Sequence, residues 1–358
     1  MNPSLNLRIQ AFARLGSFLY TYHSFKSKNV IPTDFPLSSL EKFDEVVAKA
    51  AIYNPWFTPE NQLYSFLALA KMLDKDALHA WTDHYKIDSS DSYSRTINVI
   101  MAGNIPMVGF HDFLCVLMAG FNFNGKLSSN DLFLLPALAD ILIDLEPAFG
   151  DRIVFTEGRI ENKDAVIATG SNNSFRYFEY YFRDVPRILR KNRNGIAVIT
   201  GNETDDELEG LTDDIFLYFG MGCRSVTKVF VPKDFDVRRI FKYFGKYEGL
   251  AQHNKYRNNY DYYKSIYLIN KDDFYEAGLV LFKRTEGFAV SPVSVVFYEE
   301  YESIDHIQKL IQDHVNDIQC VVSKAALPCA VVSFGKSQQP GLSDYADGVD
   351  VMEFLLNL

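Results

Sequence analysis

In the segment Tyr218-Phe219-Gly220-Met221-Gly222-Cys223-Arg224-Ser225-Val226-Thr227-Lys228-Val229-Phe230-Val231-Pro232, a cysteine follows two glycines. It precedes a β-type run, Val226 to Val231, closed by Pro232. Glycine lets the backbone take turns that side chains forbid and lets a substrate come close. A cysteine presented on such a turn can act as a nucleophile when its surroundings favour the thiolate. Taken alone, the segment is better explained by a small, inert cysteine. Its neighbours in the chain shift the balance toward chemistry.

Upstream of the cysteine, Asp205 to Tyr218 reads as a helix and Gly195 to Ile199 as a strand. Before them, Asp164-Ala165-Val166-Ile167-Ala168 is a strand, Thr169-Gly170-Ser171-Asn172-Asn173 a turn, and Phe175 to Phe182 a helix. Earlier still, Ile97-Asn98-Val99-Ile100-Met101 is a strand, followed by Ala102-Gly103-Asn104-Ile105-Pro106 and a helix-compatible stretch to Ala119. Repeated strand, turn and helix predict an α/β domain with a largely parallel sheet. Downstream, Val229–Val231, Leu279–Phe282, Val293–Phe297 and Ala330–Ser333 are strand-like, and Ser303 to Val315 is helical.

Residues 1 to about 90 carry helical signals only. Leu7, Ala11, Arg14, Leu15, Phe18 and Leu19 fall on one mostly apolar face. Ser38-Ser39-Leu40-Glu41 has the form of a capping box, and Thr58-Pro59-Glu60 that of a helix start with proline at the first position. Trp56 and Trp81 read as packing residues.

A length of 358 residues points to two domains, or to one with an extension. The formal charge of −10, with no offsetting basic block, argues against nucleic acid and against an anionic membrane surface. No apolar run is long enough to span a bilayer; the best candidate, Asp131 to Leu145, contains Pro136, Asp140 and Asp144. Four cysteines, Cys115, Cys223, Cys320 and Cys329, fit neither a zinc site nor a disulfide framework, so a reducing, cytoplasmic setting is expected. Aromatic residues reach 15%, which a large aromatic core explains better than a pocket for a long apolar substrate.

Neither G-x-G-x-x-G nor G-x-x-x-x-G-K-[ST] occurs. Thr169-Gly170-Ser171 could offer N–H groups and a hydroxyl to a phosphate, although on its own an ordinary helix cap explains it better. Asn104, at the carboxyl end of a strand, is either an oxyanion donor or a turn asparagine, with little to choose between them. His111, followed by Asp112, is the candidate base after the Asn104 loop, but a lone histidine is more often structural. Asp344, Asp347 and Asp350 are better explained by caps and turns than by a metal. The Asn- and Tyr-dense stretch Asn254 to Lys264 suggests no mechanism.

Together these segments resemble the aldehyde dehydrogenase superfamily, and within it the long-chain fatty acyl-CoA reductases of the bacterial bioluminescence type (LuxC-like). The likeness runs from about Asn54 to the C-terminus. It rests on Ala102 to Pro106, Asp164 to Asn173, Arg190-Lys191-Asn192-Arg193-Asn194, Tyr218 to Pro232, Asn258-Asn259-Tyr260-Asp261-Tyr262 and Asp344 to Asp350. The resemblance implies an aldehyde-dehydrogenase-like α/β fold with a Rossmann-type cofactor domain and an α/β catalytic domain. The expected divisions are a helical segment 1–90, an NADP-binding domain 91–192, a catalytic domain 193–335 and a C-terminal segment 336–358.

It further implies Cys223 as the catalytic thiol and Asn104 as the oxyanion amide. Thr169, Gly170 and Ser171 would form the turn near the cofactor phosphates. Lys126 would reach the adenosine ribose, and Phe334-Gly335 would be the glycine-containing segment late in the catalytic domain. Two departures bear on function. Where aldehyde oxidisers carry a water-activating glutamate in Glu-Leu-Gly-Gly, this chain has Arg193-Asn194-Gly195-Ile196. Where the superfamily has a ribose-binding glutamate, this chain has Ser129, which leaves room for a 2′-phosphate and favours NADPH. The implied substrate is an acyl-CoA. Partners to expect are fatty-acid-activating or acyl-transferring proteins, and the likeness also raises a homo-oligomer. The alternatives are an enzyme of the same fold acting on a small aldehyde or an acyl carrier protein, and a non-catalytic subunit of a fatty-acid-processing complex.

Overall fold

The structure is a computed structural model that describes residues 3–28, 30, 33–87, 95–158, 160 and 164–358. The chain forms two compact units, Met1–Lys191 together with Pro340–Leu358, and Asn192–Gln339.

The first unit opens with helices α1 (Leu5–Lys28), α2 (Leu37–Tyr53), α3 (Pro59–Met72) and α4 (Lys75–Thr82). The buried face of α1 is Ile9, Ala11, Phe12, Leu15, Phe18, Leu19 and Tyr22, while Leu7 lies outside it. Arg8, also buried, donates from Nη1 to the Met118 carbonyl at 2.6 Å. A cation there faces the negative end of the helix that closes at Met118. Thr58 caps α3, accepting from the Asn61 N–H at 3.3 Å. The expected capping box at Ser38 is not formed, because α2 starts two residues earlier, with Pro36 at the cap position and no side-chain cap.

A doubly wound sheet follows, built from β1 (Thr96–Ile100), α5 (Phe110–Met118), β2 (Asn122–Lys126), α6 (Leu134–Leu145), β3 (Ile153–Phe155), β4 (Ala165–Thr169), α7 (Asn172–Tyr181) and β5 (Arg187–Arg190). Its order is β3-β2-β1-β4-β5, all parallel. Pro136 sits in the first turn of α6, where its missing N–H costs nothing. Inside the sheet, Asn124 donates to Asn98 at 2.8 Å and Thr156 donates to Asn124 at 2.9 Å, so a row of polar side chains replaces apolar contacts.

The second unit contains β6 (Asn194–Val198), α8 (Asp205–Phe216), β7 (Val226–Pro232), α9 (Arg238–Phe241), α10 (Asn254–Asn270), β8 (Phe274–Glu276), β9 (Leu281–Arg284), β10 (Val295–Tyr301), α11 (Ile304–Asp313), β11 (Ile318–Ser323) and β12 (Val331–Val332). The strand order is β12-β11-β6-β7-β10-β9-β8, parallel except for the β8–β9 pair. Lys228, buried on β7, donates to Glu299 on β10 at 2.6 Å and to Thr285 and Gly287 beyond β9, which tethers three strands. α8 opens with a reciprocal capping box between Thr204 and Glu207.

The chain then returns to the first unit and ends in α12 (Val351–Leu356). Leu342, Tyr345, Val351, Met352 and Leu355 join the core built by α1 to α6. Trp81 donates to the Tyr345 hydroxyl at 2.9 Å, and Tyr85 donates to Asp350 at 2.7 Å. The aromatic content serves these cores: Phe12 meets Phe113 and Phe149 edge-on, and Tyr22 meets Phe43 likewise.

Candidate active site

In the first unit, three neighbouring strands end in a row. Ile100 of β1 is paired with Lys126 of β2 on one side and Ala168 of β4 on the other. Just beyond these ends lie Gly103-Asn104, Lys126 itself and Thr169-Gly170-Ser171. The strand order reverses at this point of the sheet, where open α/β sheets hold ligands at their carboxyl ends. Gly103 is required by contact, since a Cβ there would come within 2.7 Å of Ser128 Cβ and Oγ. Asn104 is exposed on the bend that follows. Met107, at φ 65°, closes the bend and donates its N–H to Asp131 at 3.2 Å. Burial pushes the Asp131 carboxyl up to about 6.

Lys126 donates from Nζ to the Gly158 carbonyl at 3.0 Å. Ser171 caps α7, its hydroxyl accepting from the Ser174 N–H at 3.2 Å. Gly170 is held by its own helix, because a Cβ would meet Phe178 and Ser174 at 2.9 Å. A lysine ammonium, two hydroxyls and the first-turn N–H groups of α7 suit the ribose and phosphates of a dinucleotide.

In the second unit, Cys223 occupies the turn before β7 and is the exposed one of the four cysteines. Cys115 and Cys320 are buried, and burial raises the Cys115 and Cys329 thiols. The turn is reached through Tyr218 and Phe219, both left-handed at φ 54° and 59°. Such residues cost of order 1–3 kcal/mol each and persist only where packing holds them. Here the Phe219 ring lies 4.5 Å from His253 and 5.9 Å from Tyr256 at the start of α10.

The residues flanking the thiol are tied down. Ser225 Oγ accepts from the Gly222 N–H at 3.1 Å and from Gln338 at 3.1 Å, and Arg224 donates to the Ser337 carbonyl at 2.6 Å. Gly195 of β6 lies against the same turn, donating its N–H to the Ser225 carbonyl at 3.0 Å. A Cβ at Gly195 would stand 2.6 Å from the Arg224 carbonyl oxygen. The segment Arg193-Asn194-Gly195-Ile196 therefore borders the cysteine turn, and it carries no carboxylate.

His111 proves structural. Its Nε2 donates to the Leu342 carbonyl at 2.9 Å, its ring packs on Tyr345 at 5.3 Å, and burial lowers its pKa. Asp112 makes a buried two-pronged pair with Arg190, at 2.6 and 2.9 Å, which joins α5 to β5. Asp344 accepts from the Gly341 N–H at 2.7 Å and Asp350 caps α12, so both work in turns and caps. The stretch Asn254 to Lys264 is the first part of α10, where Tyr256 and Tyr260 are buried. Sequence reasoning missed Asp131 and Asp214, which accept from backbone N–H groups distant in sequence, and Gln338, which donates to the distant Ser225 hydroxyl; such partners leave no local pattern.

These two units have the fold of the aldehyde dehydrogenases. Among solved structures, an indole-3-acetaldehyde dehydrogenase of Pseudomonas syringae, in complex with NAD+ and IAA, superposes with a TM-score of 0.65 at 11% identity, over 91% of this chain and 73% of that one. An aldehyde dehydrogenase of Physcomitrella patens, in complex with succinate, gives a TM-score of 0.63 at 9% identity over 99% and 89%. The aldehyde dehydrogenase KauB of Pseudomonas aeruginosa gives 0.63 at 11% over 90% and 72%. No family model and no curated protein matches the sequence. Among the described residues, no helix is long and apolar enough to cross a membrane.

Proposed function

We propose that the protein reduces a long-chain acyl-CoA to the fatty aldehyde with NADPH, through an S-acyl intermediate on Cys223. The broader reading, an oxidoreductase acting at an aldehyde or thioester carbonyl with a nicotinamide cofactor, is supported by the fold. The narrower one is supported by one observation: the strand edge that borders the cysteine turn, residues 193–196, offers no base to activate water. An acyl group on Cys223 then waits for something other than hydrolysis.

In this scheme the Cys223 thiolate attacks the thioester carbonyl. Its sulfur–carbon bond forms, and the negative charge moves to the oxygen, for which the Cys223 N–H and the Asn104 amide are the proposed donors. The oxyanion collapses, the bond to the CoA sulfur breaks, and CoA leaves as the thiolate. Lys126, Thr169 and Ser171 would hold the dinucleotide, which when bound supplies the hydride. The resulting thiohemiacetal expels the Cys223 thiolate and releases aldehyde.

The test is NADPH oxidation by the purified protein with short- and long-chain acyl-CoA and acyl carrier protein thioesters, run beside NAD+ and NADP+ reduction with free aldehydes. Aldehyde formed from long-chain acyl-CoA, and abolished by Cys223→Ala, is the expected result. Turnover confined to free aldehydes would overturn the acyl-CoA reading, and absence of all turnover would point to a non-catalytic subunit.

A further inference from the structure

A buried carboxylate with no place in the scheme above sits behind the cysteine turn. Asp214, on α8, is 1% exposed. One helical turn earlier, Gly210 lets the backbone of residues 334–335 lie directly on the helix: a Cβ there would come within 3.0 Å of the Phe334 carbonyl carbon and the Gly335 nitrogen. Gly335 itself takes φ +75°, a conformation that favours glycine. Asp214 then fastens the segment with both oxygens. Oδ2 accepts from the Gly335 N–H at 2.7 Å and Oδ1 from the Ser337 N–H at 2.9 Å.

The fastened segment is the one that grips the residues around the thiol. The Ser337 carbonyl accepts from Arg224, and Gln338 donates to Ser225 Oγ, which also takes the Gly222 N–H. Every link lies within the second unit. Bonds to both oxygens favour the ionised form, while burial opposes it and pushes the carboxyl up to about 6. A stretch of loop that only needed tethering could use neutral partners at lower cost.

We propose that Asp214 is a positioning residue for Cys223, acting through Gly335, Ser337 and Gln338 to set the turn that presents the thiol. The part of this inference that concerns catalysis rests on the acyl-thioester reading; the part that concerns the thiol does not.

The experiment compares wild type, Asp214→Asn, Gln338→Ala and the double variant, with Cys223→Ala as the labelling blank. Asparagine keeps the shape but turns one acceptor into a donor facing an N–H. Three quantities are read: the rate of Cys223 alkylation by iodoacetamide, the rate of acyl-enzyme formation from long-chain acyl-CoA, and the Kd of NADPH. Each single variant should change alkylation and slow acylation by about tenfold or more, as small misplacements of a reacting group do. The NADPH Kd should stay within about twofold, which general destabilisation would not spare. The double variant should be no worse than Asp214→Asn, because both substitutions break one chain of contacts.

Folded Asp214→Asn with wild-type alkylation overturns the proposal, as do single effects that multiply in the double variant. If Asp214→Asn does not fold, Gln338→Ala decides alone, and unchanged alkylation there overturns it. Wild-type protein that is alkylated at Cys223 but never acylated would sink the acyl-CoA reading and leave the positioning inference to be judged on alkylation.

Discussion

Gly195→Ala adds one methyl group at the strand edge beside the thiol turn. The new Cβ would stand 2.6 Å from the Arg224 carbonyl oxygen, 2.9 Å from the Ser225 oxygen and 3.0 Å from the Arg224 carbonyl carbon. All three are backbone atoms, so no flexible side chain can swing aside. Either β6 or the turn must move by roughly 0.8 Å to reach ordinary contact, and overpacking of this kind costs about 1–3 kcal/mol. Moving the turn also strains the bonds from Arg224 to Ser337 and from Ser225 to Gln338. A displacement near 1 Å can slow a reaction about a hundredfold, so acyl-enzyme formation should fall by about tenfold or more. Urea unfolding measures the first quantity; single-turnover acylation and iodoacetamide labelling of Cys223 measure the second. Gly249→Ala is the control within the same unit, because nothing lies within 4 Å of its Cβ position and it should be neutral or slightly stabilising. Stability within about 0.5 kcal/mol of wild type, with unchanged labelling, would refute the claim that Gly195 sets the turn.

Other perturbations have definite signs. Asp112→Asn leaves the buried Arg190 guanidinium with half its partner and should destabilise the first unit by about 3–5 kcal/mol in a denaturant melt; a loss under about 1 kcal/mol would show the pair to be dispensable. Lys126→Ala should weaken NADPH about tenfold or more in a binding titration, and NADPH should bind more tightly than NADH; no change on substitution would remove Lys126 from the cofactor site. Asp131 has its folded pKa raised from 3.8 to about 6, so its proton is held more tightly in the folded state. Its contribution is fully present below pH 3.8 and is lost as pH rises toward 6, by about 3 kcal/mol in all. The stability of wild type relative to Asp131→Asn should therefore fall across that window in urea melts; a difference flat with pH would contradict the burial seen here.

The α/β alternation was legible because buried parallel strands are short apolar runs between glycine turns. Ile97 to Met101 and Asp164 to Ala168 differ from β1 and β4 by one residue each. β2 was not legible. Asn122-Phe123-Asn124-Gly125-Lys126 is half polar, and it becomes a strand because Asn124 bonds sideways to Asn98 and Thr156. β5 begins and ends in arginine, and only the partner on α5 explains why Arg190 can be buried. At the site, Cys223 announced itself through its glycines. The groups that hold its turn did not, because a carboxylate receiving two backbone N–H groups from a remote loop looks, in sequence, like any helix aspartate.

The second unit is an insertion: the chain leaves the first unit at Lys191 and comes back at Pro340. Trp81 and Tyr85 must wait for Tyr345 and Asp350, and the core under α5 must wait for Val351, Met352 and Leu355. On the ribosome the N-terminal unit therefore emerges first but closes last, after the whole inserted unit has been made. A chain released just after Gln339 would present a finished second unit attached to an unsealed first one. Quality control would meet such a product through the uncovered indole of Trp81 and the apolar bed of α12, at the opposite end of the sequence from the break.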